Sequence, residues 1–419
     1  MAQWNKKYNP VPLIQELEKS RSINDEGKAQ FGGFGIMTAS PKLEAMIRLN
    51  PEITLEDKHG IVQQSIFNVG RKGRLSSNAI LGEIKKLEKE YLSSRQQNYI
   101  LATSLSVHSY YHTLPNVQID NNRITFSKSL PKSFVKVISN QQHINFFTRE
   151  KKLPSKYLCV RIAVRAKSTH QATEKALSSL NVFRGMLNYC VNYGQQSFSF
   201  GGMSRKPINK ILLGPIHTLH KPNGKMAVDD LFWFEEGYRQ PLRPYHNNTI
   251  GQFDKILKLI REIRKNIQKT KIREKLQDAI LLYNDALDTY NYEISYIKLW
   301  AVLELLTATG QDDNHKVTIR RTAFIFNDPE GEKVHLELLR NFRNELVHRG
   351  YMNAKLELFV YDLKLYVEKL LRFLIFNNSK FRSFGDVGYL LDRSTNFEEL
   401  NKKAGLVKLA QNLNKQREK

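Results

Sequence analysis

The chain has 419 residues, enough for two or three domains that each bury a core without help from disulfides. Hydrophobic residues make up 41% and aromatic residues 10%, which excludes disorder throughout the chain. The 65 Lys and Arg exceed the 41 Asp and Glu by 24. So large a positive charge favours a polyanionic partner, either nucleic acid or an acidic membrane face.

The membrane alternative is disfavoured by the distribution of apolar residues. No uncharged apolar stretch approaches the roughly 18 to 20 residues that a spanning helix needs, and the N-terminal residues show no signal-peptide pattern. We therefore expect a cytoplasmic protein with no membrane partner. Cys159 and Cys190 make neither a disulfide framework nor a CxxC metal-binding pair, so both are expected to be small buried hydrophobic residues.

Residues 1–120 are predicted to form a mainly helical N-terminal region. The clearest helical spacing in this region is found at four residues: Ile80, Ile84, Leu87 and Tyr91. The glycine-rich FGGFG at 31–35 lacks the Gly-Lys-Ser/Thr ending of a phosphate-binding loop, and it precedes no clear strand-to-helix unit. A flexible loop is therefore expected there.

Residues 121–245 are predicted to form a basic α+β domain. Residues 121–250 contain 20 basic and 6 acidic side chains, so this segment supplies 14 of the 24 net positive charges. Runs of β-branched and aromatic residues predict strands at 123–126, 134–139, 144–148 and 157–166. Within the last run, YLCVRIAVRA, alternation puts Val160, Ile162 and Val164 on one face and Arg161 and Arg165 on the other. Arg161 and Arg165 are therefore candidates to contact the phosphates of a nucleic acid.

The rest of this domain is predicted to contain a helix and a hairpin. Ser168 to Gln171 has the pattern of a capping box, and a helix with regular apolar spacing follows it and ends near Gly194. Asn223-Gly224, inside KPNGK, predicts the turn of a β-hairpin. A linker around 240–249 is expected to end the domain.

Residues 250–419 are predicted to form an all-helical domain. The stretch NTIGQFDKILKLIREIRKNI keeps isoleucine, leucine and phenylalanine on one stripe, and the same pattern continues with short joins. Further helices are predicted at 271–290, 292–308, 315–326, 332–349 and 354–377. An antiparallel helical bundle is the natural packing of such helices.

One helix of this domain contains a polar motif, Arg343-Asn344-x-x-x-His348, in ELLRNFRNELVHRG. The same spacing at Arg165–His170 and a looser one at Arg239–His246 indicate that the spacing alone is not specific. The motif at Arg343–His348 differs from these two because it lies late in an apolar-periodic helix and ends at the predicted helix terminus before Gly350. Asn344 and His348 are four residues apart and share a face, and the long side chain of Arg343 can reach the same point.

The motif RNELVH, its trailing Arg349-Gly350 and the upstream helix YEISYIKLWAVLELL resemble the HEPN domains, particularly the Apea-like type of prokaryotic defence proteins. The resemblance covers about residues 285–380. It implies a homodimer that cleaves RNA without metal or cofactor at a site where two motif helices meet. Arg343 and His348 correspond to the catalytic pair and Asn344 to a residue that orients them. Glu304 is a weaker correspondence that would hold Arg343, although an exposed glutamate is equally compatible.

The chemistry of RNA cleavage suits these side chains. RNA supplies its own nucleophile, the 2′-hydroxyl, so a protein needs only to move a proton and to stabilise negative charge. Histidine titrates near pH 6.5 and can act as general acid or base, while arginine grips phosphate oxygens with a planar fork. The expected products are a 2′,3′-cyclic phosphate and a 5′-hydroxyl. The resemblance further implies an anti-phage defence effector that acts on tRNA or other cellular RNA after a phage or cellular trigger, with Arg349 as a further RNA contact.

Several alternatives remain open at the level of sequence. His348 could instead cap the C-terminus of its helix, with Arg343 in a surface ion pair. His108 and His112, or His217 and His220, have the spacing of metal ligands but lack suitable partner residues, so no metal site is expected. The chain could also be a non-catalytic RNA-binding protein, or the HEPN partner of a nucleotidyltransferase in a toxin–antitoxin pair.

Overall fold

The computed structural model describes residues 1–32, 35–135, 156–196, 206–228, 232–234, 243–247, 249, 251–310, 314–349 and 356–417, with the backbone alone at 232, 348, 349, 416 and 417. The mixed α+β prediction is confirmed: a six-stranded sheet is followed by a C-terminal helical region.

Residues 1–93, where described, are mainly helical. Their helices are α1 (Val11–Ser20), α2 (Gly35–Ala45), α3 (Leu55–Lys72) and α4 (Ser77–Ser93). Two short strand pairs, β1 (Gln3–Trp4) with β4 (Ile47–Arg48) and β2 (Arg21–Ile23) with β3 (Ala29–Phe31), lie among them. These elements enclose an apolar core of their own, in which the predicted helical positions Ile80, Ile84 and Leu87 are buried.

The glycine-rich segment at 31–35 connects β3 to α2, and Gly33 and Phe34 of this predicted loop lie outside the described residues.

Elsewhere in the N-terminal region, the buried Glu88 accepts hydrogen bonds from the backbone N–H groups of Ala2 and Asn50. A buried carboxylate requires hydrogen-bond partners of this kind. These two hydrogen bonds join the N-terminal segment to α4.

The six-stranded sheet is antiparallel and has the strand order β10-β9-β5-β8-β7-β6. Its strands are β5 (Gln97–His108), β6 (Val117–Ile119), β7 (Asn122–Ser127), β8 (Tyr157–Ala166), β9 (Ile216–His220) and β10 (Phe232–Phe234). The predicted strands at 123–126 and 157–166 are confirmed. Val160, Ile162 and Val164 are buried on one face of β8, whereas Arg165 is exposed on the other.

One long helix, α5 (Thr169–Asn192), covers the apolar face of this sheet. Half of the predicted capping box is present: the hydroxyl of Ser168 accepts a hydrogen bond from the backbone N–H of Gln171, but the Gln171 side chain accepts from the N–H of Lys167 instead of that of Ser168. Gly194 follows the end of the helix with φ +70°, as predicted. The predicted hairpin is also present, because β9 pairs with β10 and Gly224 in the turn has φ +87°. A left-handed backbone of this kind favours glycine.

Two predictions for the middle region were wrong. The sheet begins at Gln97, so the predicted domain boundary at residue 120 falls inside it. The run at 134–139 was predicted as a strand, but Phe134 and Val135 are helical, because the carbonyl of Pro131 accepts hydrogen bonds from both of their N–H groups. The remainder of that run and the predicted strand at 144–148 lie outside the described residues.

The C-terminal region has helices where the apolar periodicity predicted them. They are α6 (Gln252–Lys269), α7 (Arg273–Asp288), α8 (Tyr292–Thr307), α9 (His315–Ala323), α10 (Pro329–Arg349) and α11 (Leu356–Phe376). Two helices follow them, α12 (Phe384–Leu391) and α13 (Phe397–Arg417). Helices α8 and α11 are central to this region, with Trp300 and Leu370 completely buried.

The sheet and the helical region share one continuous apolar core, and α5 lies between them. Midway along α5 the buried Arg184 forms a two-pronged ion pair with Asp288 of α7. Next to it, α5 approaches α7 so closely that a Cβ atom at Gly185 would lie 2.6 Å from Ile280 Cγ2. A glycine is therefore required at this crossing.

A fully buried ion pair joins the end of α5 to α11. Lys364 Nζ lies 2.7 Å from Glu368 Oε1 and also donates to the backbone carbonyls of Asn192 and Gln195. Glu368 accepts hydrogen bonds from the Tyr283 hydroxyl and from the Gly194 N–H. Burial lowers the pKa of Lys364 and raises the pKa of Glu368, as expected for charges removed from water, and each charge is held by the other.

Both cysteines are free thiols. Cys159 is buried on β8, as predicted, and Cys190 is half-buried on α5, where burial raises its pKa to about 12. A thiol with so high a pKa is protonated at neutral pH, and the thiol is the less nucleophilic form of cysteine. Cys190 packs against the main apolar core, but it is not fully buried as predicted.

Candidate functional site

The motif Arg343-Asn344-x-x-x-His348 lies on α10, and buried apolar residues fix the orientation of this helix. Phe342 packs edge-on against Tyr296 of α8 and Phe359 of α11, with ring centroids 5.2 and 4.7 Å apart. The hydroxyl of Tyr296 donates a 2.7 Å hydrogen bond to the backbone carbonyl of Leu339. The motif is thus presented by a helix that two neighbouring helices hold in place.

Arg343 and Asn344 contact each other. The Nη1 group of Arg343 donates to Asn344 Oδ1 over 3.4 Å, a long hydrogen bond. Both side chains are partly buried, and Arg343 Nε is buried without a hydrogen-bond partner among the described residues. Because this Nε is closed to solvent, a phosphate oxygen could use only the terminal Nη groups of the guanidinium.

Position 348 lies in the last described turn of α10, where the backbone is helical. The side chains of His348 and Arg349, together with Gly350, lie outside the described residues. Five residues of α-helix turn through about 140°, so position 348 leaves the helix on a different side from Arg343. Asn344 is about 40° from position 348, and it is therefore the motif residue that shares a face with it.

Glu304 does not contact Arg343 in the described part of the chain. Its Oε1 atom accepts a 2.8 Å hydrogen bond from Trp300 Nε1, and His315 Nδ1 lies 2.9 Å from the same oxygen without hydrogen-bond alignment. This carboxylate therefore joins α8 to α9 rather than holding the motif arginine. The Trp300–Glu304 spacing of four residues was a signal for the first of these contacts.

The same motif helix carries a polar cluster that the sequence did not predict. His335 Nδ1 lies 3.0 Å from the hydroxyl of Tyr366 on α11, and its Nε2 lies 3.7 Å from Asp362. The Tyr366 hydroxyl also donates to Glu332. Because α11 supplies Asp362 and Tyr366, no local pattern in the sequence of α10 could have indicated the cluster.

A second candidate site lies on the face of the sheet opposite α5. Arg161 and Arg165 are both on this face, as predicted, and the strand register adds Arg123, which lies directly across from Ala163. The three arginines surround the exposed Ala163, and within the described residues none of them forms an ion pair. Arg123, Arg165 and Ala163 also line an open cleft of about 1010 Å³, which extends to α5 and includes the acidic Asp120 and Glu174. Unpaired guanidinium groups beside a cleft are suited to binding phosphates.

The histidines with metal-ligand spacing are engaged in hydrogen bonds. His112 Nε2 accepts from the backbone N–H of Asn247, and His217 Nδ1 lies 2.7 Å from the Thr103 hydroxyl. His220 donates from Nδ1 to the carbonyl of Gly224. Within the described ranges, no group of three or more His, Cys, Asp or Glu is arranged to hold a metal ion.

Three histidines form one cluster with aromatic rings at the end of β5. The ring of His246 lies 5.9 Å from that of His108 and 5.4 Å from that of His112, centroid to centroid. Burial lowers the pKa of His108 and of His112, and the positive charge that their neighbours can acquire adds to both effects. Asp254 opposes the shift at His112. The folded chain therefore favours the neutral rings of His108 and His112.

This cluster predicts a loss of stability in acid. Because the folded state disfavours the protonated rings, the free energy of unfolding should fall as pH drops below about 6.5, the ordinary histidine value, until the folded-state pKa is passed. Thermal unfolding at about pH 7.5 and about pH 5.5 measures the loss. His112→Gln removes one titrating ring and keeps an acceptor for Asn247, so its loss should be smaller. His170→Gln, outside the cluster, is the control; equal losses in all three proteins would contradict this prediction.

No helix in the described part of the chain is both long enough and apolar enough to cross a membrane. Comparison with family models, with curated proteins and with solved structures finds no match to the chain.

Proposed function

We propose that the chain is a metal-independent endoribonuclease of the HEPN type, with Arg343 and His348 as its catalytic pair. The observation that supports this most directly is the place of the motif on α10, where Phe342 packs on Tyr296 and Phe359 and the next residue, the partly buried Arg343, contacts Asn344. An arginine on a firmly packed helix is suited to stabilise charge on a phosphate.

In the proposed reaction the 2′-oxygen of RNA attacks the adjacent phosphorus, and the bond from phosphorus to the 5′-oxygen breaks. His348 takes the proton of the 2′-hydroxyl, and a protonated imidazole or water supplies a proton to the 5′-oxygen. Arg343 stabilises the negative charge of the pentacovalent phosphorus. In a two-fold homodimer, two copies of each residue would lie in one cleft, so one histidine accepts a proton while the other donates one.

The three arginines of the sheet face, Arg123, Arg161 and Arg165, are proposed to hold the RNA backbone. Their unpaired state and the charge of +14 in residues 121–250 support this assignment. A protein that neutralises phosphates releases counterions, so its affinity falls as salt concentration rises. Cleavage and backbone binding are thereby assigned to different regions of the chain.

A defining experiment incubates the purified protein with total RNA in EDTA and maps the new ends. We expect cleavage that leaves 2′,3′-cyclic phosphate and 5′-hydroxyl ends, and no cleavage by the His348→Ala variant. Dependence of wild-type cleavage on a divalent metal would contradict the mechanism. RNA binding without cyclic-phosphate ends would instead favour a non-catalytic RNA-binding protein.

The arginine face makes a separate prediction about binding. Replacing Arg123 and Arg165 with Gln should weaken RNA binding and reduce the slope of log affinity against log salt by about 2, one for each lost phosphate contact. Arg382→Gln is the control, since that arginine lies just before α12 on a different part of the chain. Unchanged affinity and slope in the double variant would show that these arginines do not contact the RNA backbone.

A further inference from the structure

The turn that follows β5 exposes two neighbouring aromatic side chains. Tyr110 is 69% exposed and Tyr111 is 64% exposed, although both follow the largely buried strand β5. Single exposed apolar residues are common and require no explanation. Two exposed tyrosines at the end of an ordered stack of rings are a different case, because their orientation is fixed before any partner binds.

The rings beneath Tyr111 hold it in place, and the Tyr110 ring lies 5.9 Å from that of His108. The Tyr111 ring packs on His246 with centroids 4.1 Å apart and planes inclined by 31°, and it lies 4.5 Å from His108. His112 in turn stacks on Phe253 at 4.1 Å. The stack therefore extends from the surface to a ring of the main apolar core.

The backbone around His246 is itself fixed. The carbonyl of Tyr245 accepts a 3.0 Å hydrogen bond from the N–H of His108, and the N–H of Asn247 donates to His112 Nε2 over 3.0 Å. Both neighbours of His246 are thus bonded to the end of β5. A stacking surface held in this way loses little conformational entropy when a flat ligand binds.

Positive charge surrounds this surface. Lys128 Nζ lies 5.8 Å from the centroid of the Tyr110 ring, and the charge of Lys156 contributes to the lowered pKa of His108. Arg243 and Lys210 line a cleft of about 470 Å³ that also includes His246. Flat aromatic rings among lysines and arginines fit a ligand with flat bases and a negatively charged backbone.

We propose that Tyr110 and Tyr111 form a stacking platform for unpaired bases of single-stranded RNA. The proposal deepens the function proposed above, on which it rests, because it specifies the substrate as RNA with unpaired bases. In duplex RNA the bases are stacked on one another and cannot reach a tyrosine ring. Because every base has a flat face, the platform tolerates many sequences.

The test measures binding by fluorescence anisotropy in the His348→Ala background, so that the probe stays intact. The probe is a fluorescein-labelled oligouridine of about 12 nucleotides, within the site sizes of single-strand binding surfaces. Replacing both tyrosines with Ala should raise the Kd by about tenfold or more, whereas replacing both with Phe should leave it nearly unchanged. The salt dependence should be retained, because the basic residues remain.

Tyr389→Ala is the matched control. Tyr389 is also 69% exposed, but it lies on α12 with Arg393 over its ring, away from the histidine stack. Its replacement should leave the Kd unchanged. Near-parental affinity in the double Ala variant would overturn the platform, and so would an equal loss for a duplex RNA of the same length.

The two proposals fail in different ways. Equal cleavage by wild type and His348→Ala would remove the catalytic assignment but would leave a tyrosine-dependent Kd standing. Unchanged binding by the double Ala variant would remove the platform but would leave cleavage and its end chemistry standing. The comparison of Phe and Ala variants also separates loss of the ring from loss of the hydroxyl or of local folding.

Discussion

Replacing His348 with Ala is expected to slow RNA cleavage by about 10²- to 10⁴-fold, the contribution typical of a general acid or base. RNA binding should be unchanged, because the proposed backbone contacts lie on the sheet face, at Arg123, Arg161 and Arg165. The measurement is a single-turnover cleavage rate beside an anisotropy titration of the same RNA. His335→Ala is the matched control, since His335 lies on the same helix and interacts with Asp362 and Tyr366 instead.

Replacing Arg343 tests the second residue of the proposed catalytic pair. Arg343→Ala should reduce the cleavage rate by about 10²- to 10³-fold, the usual cost of removing a donor that stabilises developing charge. Arg343→Lys should recover part of the rate, because it restores charge without the planar fork. Arg340→Ala, one turn earlier on α10, controls for damage to the helix. If Arg343→Ala weakened RNA binding as much as it slowed cleavage, Arg343 would bind the substrate rather than stabilise the transition state.

Replacing Lys364 with Met is expected to lower the free energy of unfolding by about 3 to 5 kcal/mol, the cost of leaving a buried charge without its partner. Glu368 would lose its counterion, and the carbonyls of Asn192 and Gln195 would lose their donor. Urea unfolding measures the change as a lower midpoint. Glu368→Gln keeps the shape of that side chain and removes its charge, so it tests the pair if the Met variant fails to fold.

The chain offers a matched control for this pair. Lys403 and Glu399 on α13 are also four residues apart and ion-paired, but they are 51% and 48% exposed, whereas both members of the buried pair are 0% exposed. Lys403→Met should therefore change the free energy of unfolding by no more than about 1 kcal/mol. Comparable effects of the two replacements would mean that the buried pair adds nothing beyond an ordinary surface contact.

Helices such as α4 and α6 were predictable because their apolar residues recur at helical spacing on a single stripe. The strand β8 was predictable for a similar reason, since Val160, Ile162 and Val164 alternate with Arg161 and Arg165. The strand β5 was missed because alternation is absent from it: Thr103, Ser104 and Ser106 are buried, and Ser106 accepts a hydrogen bond from the backbone of Leu212. A strand covered on both faces shows no polar side in the sequence.

The candidate sites were predictable only in part, for reasons of distance along the chain. Arg343 and Asn344 are adjacent in sequence, so a sequence motif could indicate that they lie together. Arg123 joins the arginine face only through its register with Ala163, 40 positions later, and Tyr111 meets His246 from the far side of the α+β region. Contacts of this kind depend on strand pairing, which spacing in a single sequence does not specify.

Helix α5 has a consequence for how this chain can be divided or recombined. Its Ser168 hydroxyl donates to Asp57 of the N-terminal region, its Arg184 pairs with Asp288, and its last carbonyl is bonded by Lys364. The segment 285–380, which resembles a self-contained domain, therefore belongs to a core that α5 completes from outside it. Transplanting that segment into another protein would expose apolar surface unless the recipient supplied a substitute for α5, so the smallest unit expected to fold is larger than residues 285–380.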